Sequence, residues 1–555
     1  MELKKLLPGS ITIIFLFFLA AVGGTLFLSG FLVGGGYAVT LEKAYAVFFK
    51  SNFLEIMRNT LLVGFGCAII SLIAGFTYAY IVERTNVPGR RILRILPFFA
   101  ISIPLIGKCV GWIGMLGTNG VLNKIAVAII GSPIFDIYTV WGIFVALGFG
   151  GSALVYLIIA PTIRNMPAEL EDASRISGGG MARTLSRVVI PVLAPAIISA
   201  GILMFVSSIG NFEYVFLFGA KNAPFTQTLA VEIYDSLYGG AIADYGKTAI
   251  MSIVYIAVAL IATTYYLRAT RRVKKFEILG GRGGRARIHD IGPWRYLAFG
   301  VLILILVGML GIPLVGLIAT ALAPSTGRIL EAFTLSNFAE VLSFPRFWST
   351  MLSTFIASVA ASAAVTFFGF FIAYCGLKSG GSFLRKMSDY ASAIPLGFPP
   401  IAYGVAIFWF ILFFPGAKVI YGTLIPIIMA LTFIRLPQGV RMMSSSLIQV
   451  SDEMEEVARV CGSDWKSTFV KISIPLTLGG ILHAFLYTFV DSMRELGAIV
   501  LLITPTATVF TAYIFQLYTN SAMYLPVVAA GATILTLIVL SFTIIMISVF
   551  EFRRK

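Results

Sequence analysis

The stretch Glu171-Asp172-Ala173-Ser174-Arg175-Ile176-Ser177-Gly178, with Pro191 thirteen residues beyond it, occurs twice in this chain. The second copy is Glu455-Glu456-Val457-Ala458-Arg459-Val460-Cys461-Gly462, and Pro475 again follows thirteen residues on. One offset of 284 residues carries Asp172 onto Glu456, Arg175 onto Arg459, Gly178 onto Gly462 and Pro191 onto Pro475. Each copy is a polar island between long apolar runs, near 168–187 and 452–471. Each begins acidic (Glu169, Glu171 and Asp172; Asp452, Glu453, Glu455 and Glu456) and continues basic (Arg175, Arg183 and Arg187; Arg459, Lys466 and Lys471). Carboxylates favour the N-terminal end of a helix dipole and cations its C-terminal end, so the order predicts a short surface helix. The glycine turns or loosens that helix, and the proline is expected to restart the chain into the next apolar segment.

Composition fixes the class around these islands. The chain has 555 residues, of which 58% are hydrophobic and 12% charged. Soluble domains are nearer ~45–50% apolar and ~25% charged, so this is a polytopic membrane protein. The net charge of +16 then reads as loops rich in lysine and arginine on one membrane face. Four scattered cysteines, Cys67, Cys109, Cys375 and Cys461, show neither metal-ligand spacing nor a disulfide framework.

Twelve spans are expected. Six lie near 10–33, 59–82, 95–115, 140–159, 193–217 and 248–267; six more lie near 297–322, 351–377, 390–414, 420–433, 478–502 and 527–550. The tenth is interrupted by Arg435 and Pro437 and is expected to continue to Val440. The sequence therefore divides into a first repeat (1–267), a linker (268–295) and a second repeat (296–555). The linker holds Arg271, Arg272, Lys274, Lys275, Arg282, Arg285 and Arg287 around Gly280-Gly281-Arg282-Gly283-Gly284. Glycine with like charge predicts a flexible, solvated segment. Its basic residues are not regularly interleaved with aromatic ones, with Phe276 alone between Arg271 and Arg287, which argues against nucleic acid as a partner. Twelve spans put both termini, the linker and both islands on one side with every basic cluster, and the positive-inside rule makes that side cytoplasmic. Six plus six spans in the same orientation form a parallel duplication, with a pathway or site between the halves.

The islands resemble the cytoplasmic signature of ABC-importer permeases, Glu-Ala-Ala-x-x-x-Gly with Ile-x-Leu-Pro downstream. The second copy keeps Glu456, Ala458, Gly462 and Ile472-Ser473-Ile474-Pro475, with Val457 at the first alanine. The first has Asp172 for the glutamate, keeps Ala173, has Ser174 for the second alanine, and ends Val188-Val189-Ile190-Pro191. The resemblance covers nearly the whole chain and is greatest to fused, two-halves-in-one permeases of the ferric-iron type. Leu116-Gly117-Thr118-Asn119-Gly120-Val121-Leu122-Asn123 and Asp491-Ser492-Met493-Arg494-Glu495-Leu496 also look like that subgroup.

The resemblance implies an all-α type I importer fold in a prokaryotic inner membrane. Two copies of a separate ATPase would dock on the two islands, and an extracytoplasmic substrate-binding protein would deliver cargo. ATP and Mg would be bound by the partners, and no cofactor by this chain. The cargo implied is ferric iron, with thiamine, a phosphonate or phosphosugar, sulfate and polyamine behind it. The residues expected to couple to the ATPase are Glu171, Asp172, Ala173, Ser174, Gly178 and Pro191, with Glu455, Glu456, Val457, Ala458, Gly462 and Pro475.

No catalytic residues are expected. Gly246-Lys247-Thr248 lacks the earlier glycine of a P-loop, whose place is taken by Ala241. The two histidines, His289 and His483, assemble no nucleophile triad. Ionisable residues inside spans are functional candidates by default. Here they are Lys108, Glu213, Asp491, Arg494 and Glu495, joined by polar Asn211. The offset carries Asn211 onto Glu495, so one helical face is polar in both halves. Asp491, Arg494 and Glu495 either line a pathway or form an internal ion network. A gradient-driven secondary transporter offers no reason for two matched islands. An intramembrane enzyme or scaffold would need a catalytic constellation that the sequence lacks.

Overall fold

The computed structural model describes residues 3–32, 44–50, 52–219, 227–240, 243–279, 288–329, 331–378, 382–520 and 524–552. Arg282, Arg285 and Arg287 of the linker, and Arg553, Arg554 and Lys555, lie outside these. The first half contributes α1 (Leu3–Leu32), α2 (Phe53–Arg84), α3 (Leu105–Leu116), α4 (Val140–Asn165), α5 (Glu169–Ile176), α6 (181–209) and α7 (Tyr245–Leu279). The second contributes α8 (Trp294–Ala321), α9 (Phe347–Lys378), α10 (Pro400–Phe413), α11 (Ile425–Leu447), α12 (Asp452–Val460), α13 (Trp465–Ser492) and α14 (Leu525–Phe552). The protein is an all-α polytopic membrane protein.

Among the described residues ten helices are long and apolar enough to cross a bilayer, and eleven if Ser382–Gly397 and α10, bent by 105°, count as one span. The remaining expected span is α11, which runs on past Val440. Arg435, Arg441 and Ser444–Ser446 make it too polar to qualify by composition. It is nonetheless packed inside the bundle against α9 and α13.

The prolines after the islands do not restart the chain. Each sits in an unbroken helical run that widens just before it. The π-turn Leu185–Val189 precedes Pro191, and Phe469–Ser473 precedes Pro475. A third π-turn, Val307–Gly311, precedes Pro313 in α8. A proline lacks an N–H and its ring collides with the carbonyl four residues back, so one wider turn keeps the helix going.

The sequence repeats and the packing units differ by one helix each. α1 lies on the second half: Phe15 meets Phe368 and Phe433, and Phe18 meets Phe410. Reciprocally, α8 lies on the first half, with Leu302, Ile305, Leu306 and Met309 in one apolar cluster with Ala153, Tyr156 and Ala200. α8 comes closest at α3, where a Cβ on Gly111 would run into the Pro313 carbonyl, and one on Gly316 into the Gly111 carbonyl.

Candidate functional site

Each island folds into a short helix, α5 or α12, that covers only its first, mainly acidic part; Arg183, Arg187, Lys466 and Lys471 lie in the helical runs into the next spans, α6 and α13. Each helix ends on a glycine with positive φ, +80° at Gly178 and +84° at Gly462. The next amide reaches back five residues: Gly179 N–H donates to Ser174 O at 2.8 Å, and Ser463 N–H to Ala458 O at 2.9 Å. This is the left-handed helix stop that glycine permits. A Cβ at either position meets nothing within 4 Å, so the requirement is one of backbone conformation alone. Gly178→Ala and Gly462→Ala are each expected to destabilise the local helix by roughly 1–2 kcal/mol. Faster amide exchange confined to that island would show it.

Within each island the paired carboxylates part company. Glu171 and Glu455 turn inward and are buried, while Glu456 is exposed and Asp172 half-buried. Glu171 meets Arg84 at 3.6 Å and His289; Glu455 accepts from the Ser473 hydroxyl at 3.3 Å. A cation ending an earlier span, α2 in the first half and α9 in the second, holds a carbonyl just before each island. Arg84 donates to Met166 O and Lys378 to Val450 O, both at 2.7 Å. Met166 and Val450 are again 284 residues apart. On the outer face, Leu170 and Ile176 match Met454 and Val460, and Ala173 matches Val457. All six are exposed, Ile176 and Val460 at 88% each.

The membrane-embedded candidates sit where the helices after the islands break. α6 ends at Ile209 and helix resumes at Glu213; α13 ends at Ser492. At each break the matched residue accepts from the amide three ahead, Asn211 Oδ1 from Tyr214 N–H at 2.9 Å and Glu495 Oε1 from Ala498 N–H at 3.3 Å. Asp491, Arg494 and Glu495 do come together, joined by Arg435 of α11. Arg435 is 2.7 Å from Asp491 and also pairs with Glu495, while Arg494 pairs with Asp491 and donates to Ile101 O. Two guanidinium groups balance two carboxylates. Buried Glu213 lies against the Gly497 amide of the other half. Lys108 of α3 is also buried, with Arg494 as an electrostatic neighbour. Among the described residues its ammonium makes no hydrogen bond or ion pair. Arg435 was legible only as an interruption of a span; its partners are 56 and 60 residues away.

At the end of the bundle away from the islands, Gly117, Thr118 and Asn119 line a cavity of about 380 Å³ with Tyr138, Thr326 and Tyr518. Asn123 fixes this loop by donating to the carbonyls of Leu116, Gly117 and Phe135. Gly246-Lys247-Thr248 opens α7: Asp244 accepts from the Lys247 amide at 3.0 Å, and the Lys247 ammonium pairs with Glu232. That is helix-start chemistry.

Two helical halves, each with a matched exposed island, describe a duplicated membrane protein. The family described as binding-protein-dependent transport system inner membrane component matches residues 69–275 and 365–554. The chain belongs to this family. Among relatives of this multi-pass inner-membrane permease is a ferric transport system permease protein of Actinobacillus pleuropneumoniae, 24% identical over 521 residues, 91% of this chain and 73% of the relative. An Fe(3+)-transport system permease protein of Haemophilus influenzae is 22% identical over 490 residues, 88% of each chain. A sulfate transport system permease protein of Salmonella typhimurium is 27% identical over 207 residues, 37% of this chain and 72% of the relative.

Proposed function

We propose that this chain is the translocation subunit of an ATP-driven importer, and that α5 and α12 each dock one copy of a separate ATPase. The observation that carries this reading is the apolar stripe on two otherwise polar helices. Leu170, Ala173 and Ile176, like Met454, Val457 and Val460, lie three residues apart and face solvent. Apolar side chains so exposed on a short charged helix are the mark of a surface that a partner covers. The inward anchoring of Glu171 and Glu455 makes each helix a rigid lever on the spans behind it. Hydrolysis and its ATP and Mg belong to the partner. A binding protein delivers cargo at the opposite face, and the islands, linker and both termini are cytoplasmic by the positive-inside rule.

The cargo proposed is ferric iron, a reading supported by the names of relatives that span both halves. A compact anion such as sulfate is the second reading, favoured by buried Lys108 beside Arg494. Thiamine, phosphonate or phosphosugar, and polyamine come behind these two. The pathway proposed runs past the two helix breaks, lined by Lys108, Asn211, Glu213, Asp491, Arg494 and Glu495.

Uptake of labelled ferric iron tests both parts, in cells with the chain, without it, and with Glu456→Lys. Glu456 is exposed just past the first turn of α12, so a lysine there opposes the helix dipole by no more than ~0.3–1 kcal/mol, yet reverses the charge shown to the partner. Uptake is expected to fall to the level of cells lacking the chain, with the variant still present in the membrane. Equal iron uptake in all three would remove iron as cargo and put sulfate next. Uptake that needs the chain but not ATP would replace the importer with a gradient-driven transporter.

A further inference from the structure

The linker between the halves is not solvated throughout. Residues 268–279 extend α7, and 288–292 dock beneath the first island. His289 N–H donates to Arg84 O at 2.8 Å, and Asn86 N–H donates to His289 O at 3.1 Å. The Asn86 side chain spans Asp290, at 2.5 Å, and the Ile291 amide, at 3.2 Å. These bonds carry the His289 ring into the interior, 4% exposed, where Nε2 meets Glu171, itself 1% exposed. Arg84, fully buried, closes the cluster from the other side of the carboxylate.

The repeat explains why a histidine is needed here. In the second half Glu455 takes a hydrogen bond from Ser473, in the π-turn before Pro475. The position 284 residues earlier is Val189, buried in the matching π-turn and without a donor. The first half thus lacks the hydroxyl that the second uses, and the linker brings a side chain to the equivalent carboxylate. We infer that Ile288–Gly292 is a strap and that His289 is a positioning residue for α5, doing for Glu171 what Ser473 does for Glu455. The linker is then part of the coupling apparatus of the first half rather than a mere tether. The role in coupling rests on α5 being an ATPase-docking helix.

Amide hydrogen exchange on the full-length chain, purified with its ATPase subunit, tests the strap at 166–178 and uses 450–462 as the internal control. His289→Ala is expected to speed exchange at 166–178 roughly tenfold, the loss of one hydrogen bond to a buried charged group. Exchange at 450–462 is expected to be unchanged. The ATPase rate of the complex is expected to fall in parallel. Val189→Ser added to His289→Ala recreates the arrangement of the second half, and is expected to restore both protection and rate. A strut of purely structural value would not be rescued in ATPase rate by a hydroxyl on another element. Unchanged exchange at 166–178, or equal loosening of both islands, overturns the strap. Faster exchange with an unaltered ATPase rate overturns its part in coupling. If the ATPase subunit fails to associate even with the unaltered chain, the docking reading falls and the coupling role with it. That result is distinct from the others, in which association is intact.

Discussion

Arg435→Met is expected to destabilise the protein by roughly 3–5 kcal/mol, the cost of stranding a buried charge whose partner is removed. Among the described residues Arg435 is the one cation that touches both Asp491 and Glu495, and it does so from a different helix. Without it Glu495 loses its ion-pair partner, and Arg494 alone faces Asp491. Thermal unfolding in detergent reads the effect. Arg441→Met, less than two turns further along the same helix, removes a hydrogen bond to Tyr266 at 2.8 Å and a stacked cation. It is expected to cost only about 1 kcal/mol. Neutralising only the carboxylate left over, with Glu495→Gln in the Arg435→Met background, is expected to recover most of the loss, because Arg494 and Asp491 still balance each other. Equal costs for Arg435→Met and Arg441→Met would show that the network is not held by charge.

Gly111→Val is expected to cost about 3 kcal/mol or more, at the upper end of overpacking in a filled interior. Flexible side chains can swing away from an added methyl group, but the atoms in its way here are the backbone of Pro313 in α8. The two helices would have to separate, and with them the contact that seats the second half's first helix on the first half. Gly300 of the same α8 is the control, since a Cβ there meets nothing within 4 Å. Gly300→Val is expected to stay within about 0.5 kcal/mol. Unfolding midpoints of the two variants in one detergent decide the matter.

The islands were legible in the sequence because their information is local. Acidic residues, basic residues and a glycine fall within one or two turns, and the duplication repeats them in register. Spans were legible for the same reason, from the apolarity of each segment alone. The pairings were not. The ion network joins Arg435 to residues at 491 and 495, and His289 reaches Glu171 across 118 residues. No spacing rule relates such positions. His289 lay in a stretch whose glycine and arginine content argued for solvation, and the strap is set by one backbone bridge that composition cannot register. The prolines at 191 and 475 were visible, but the expectation of a restarted chain overlooked that a π-turn absorbs the lost N–H within the run. That α1 and α8 change sides was equally hidden. A helix of Leu, Ile and Phe carries no mark of which apolar neighbour it will meet.

The crossed placement of α1 and α8 sets an order on biosynthesis. When α8 leaves the ribosome its seat is already built, because α2, α3 and α4 precede it. α1 has the opposite fate: its aromatic contacts at Phe368, Phe410 and Phe433 are more than three hundred residues away. It must wait in lipid as a solitary apolar helix, which the bilayer tolerates and water would not. α1 is therefore inserted long before it can be fully packed, and its seat is completed only when the second half arrives.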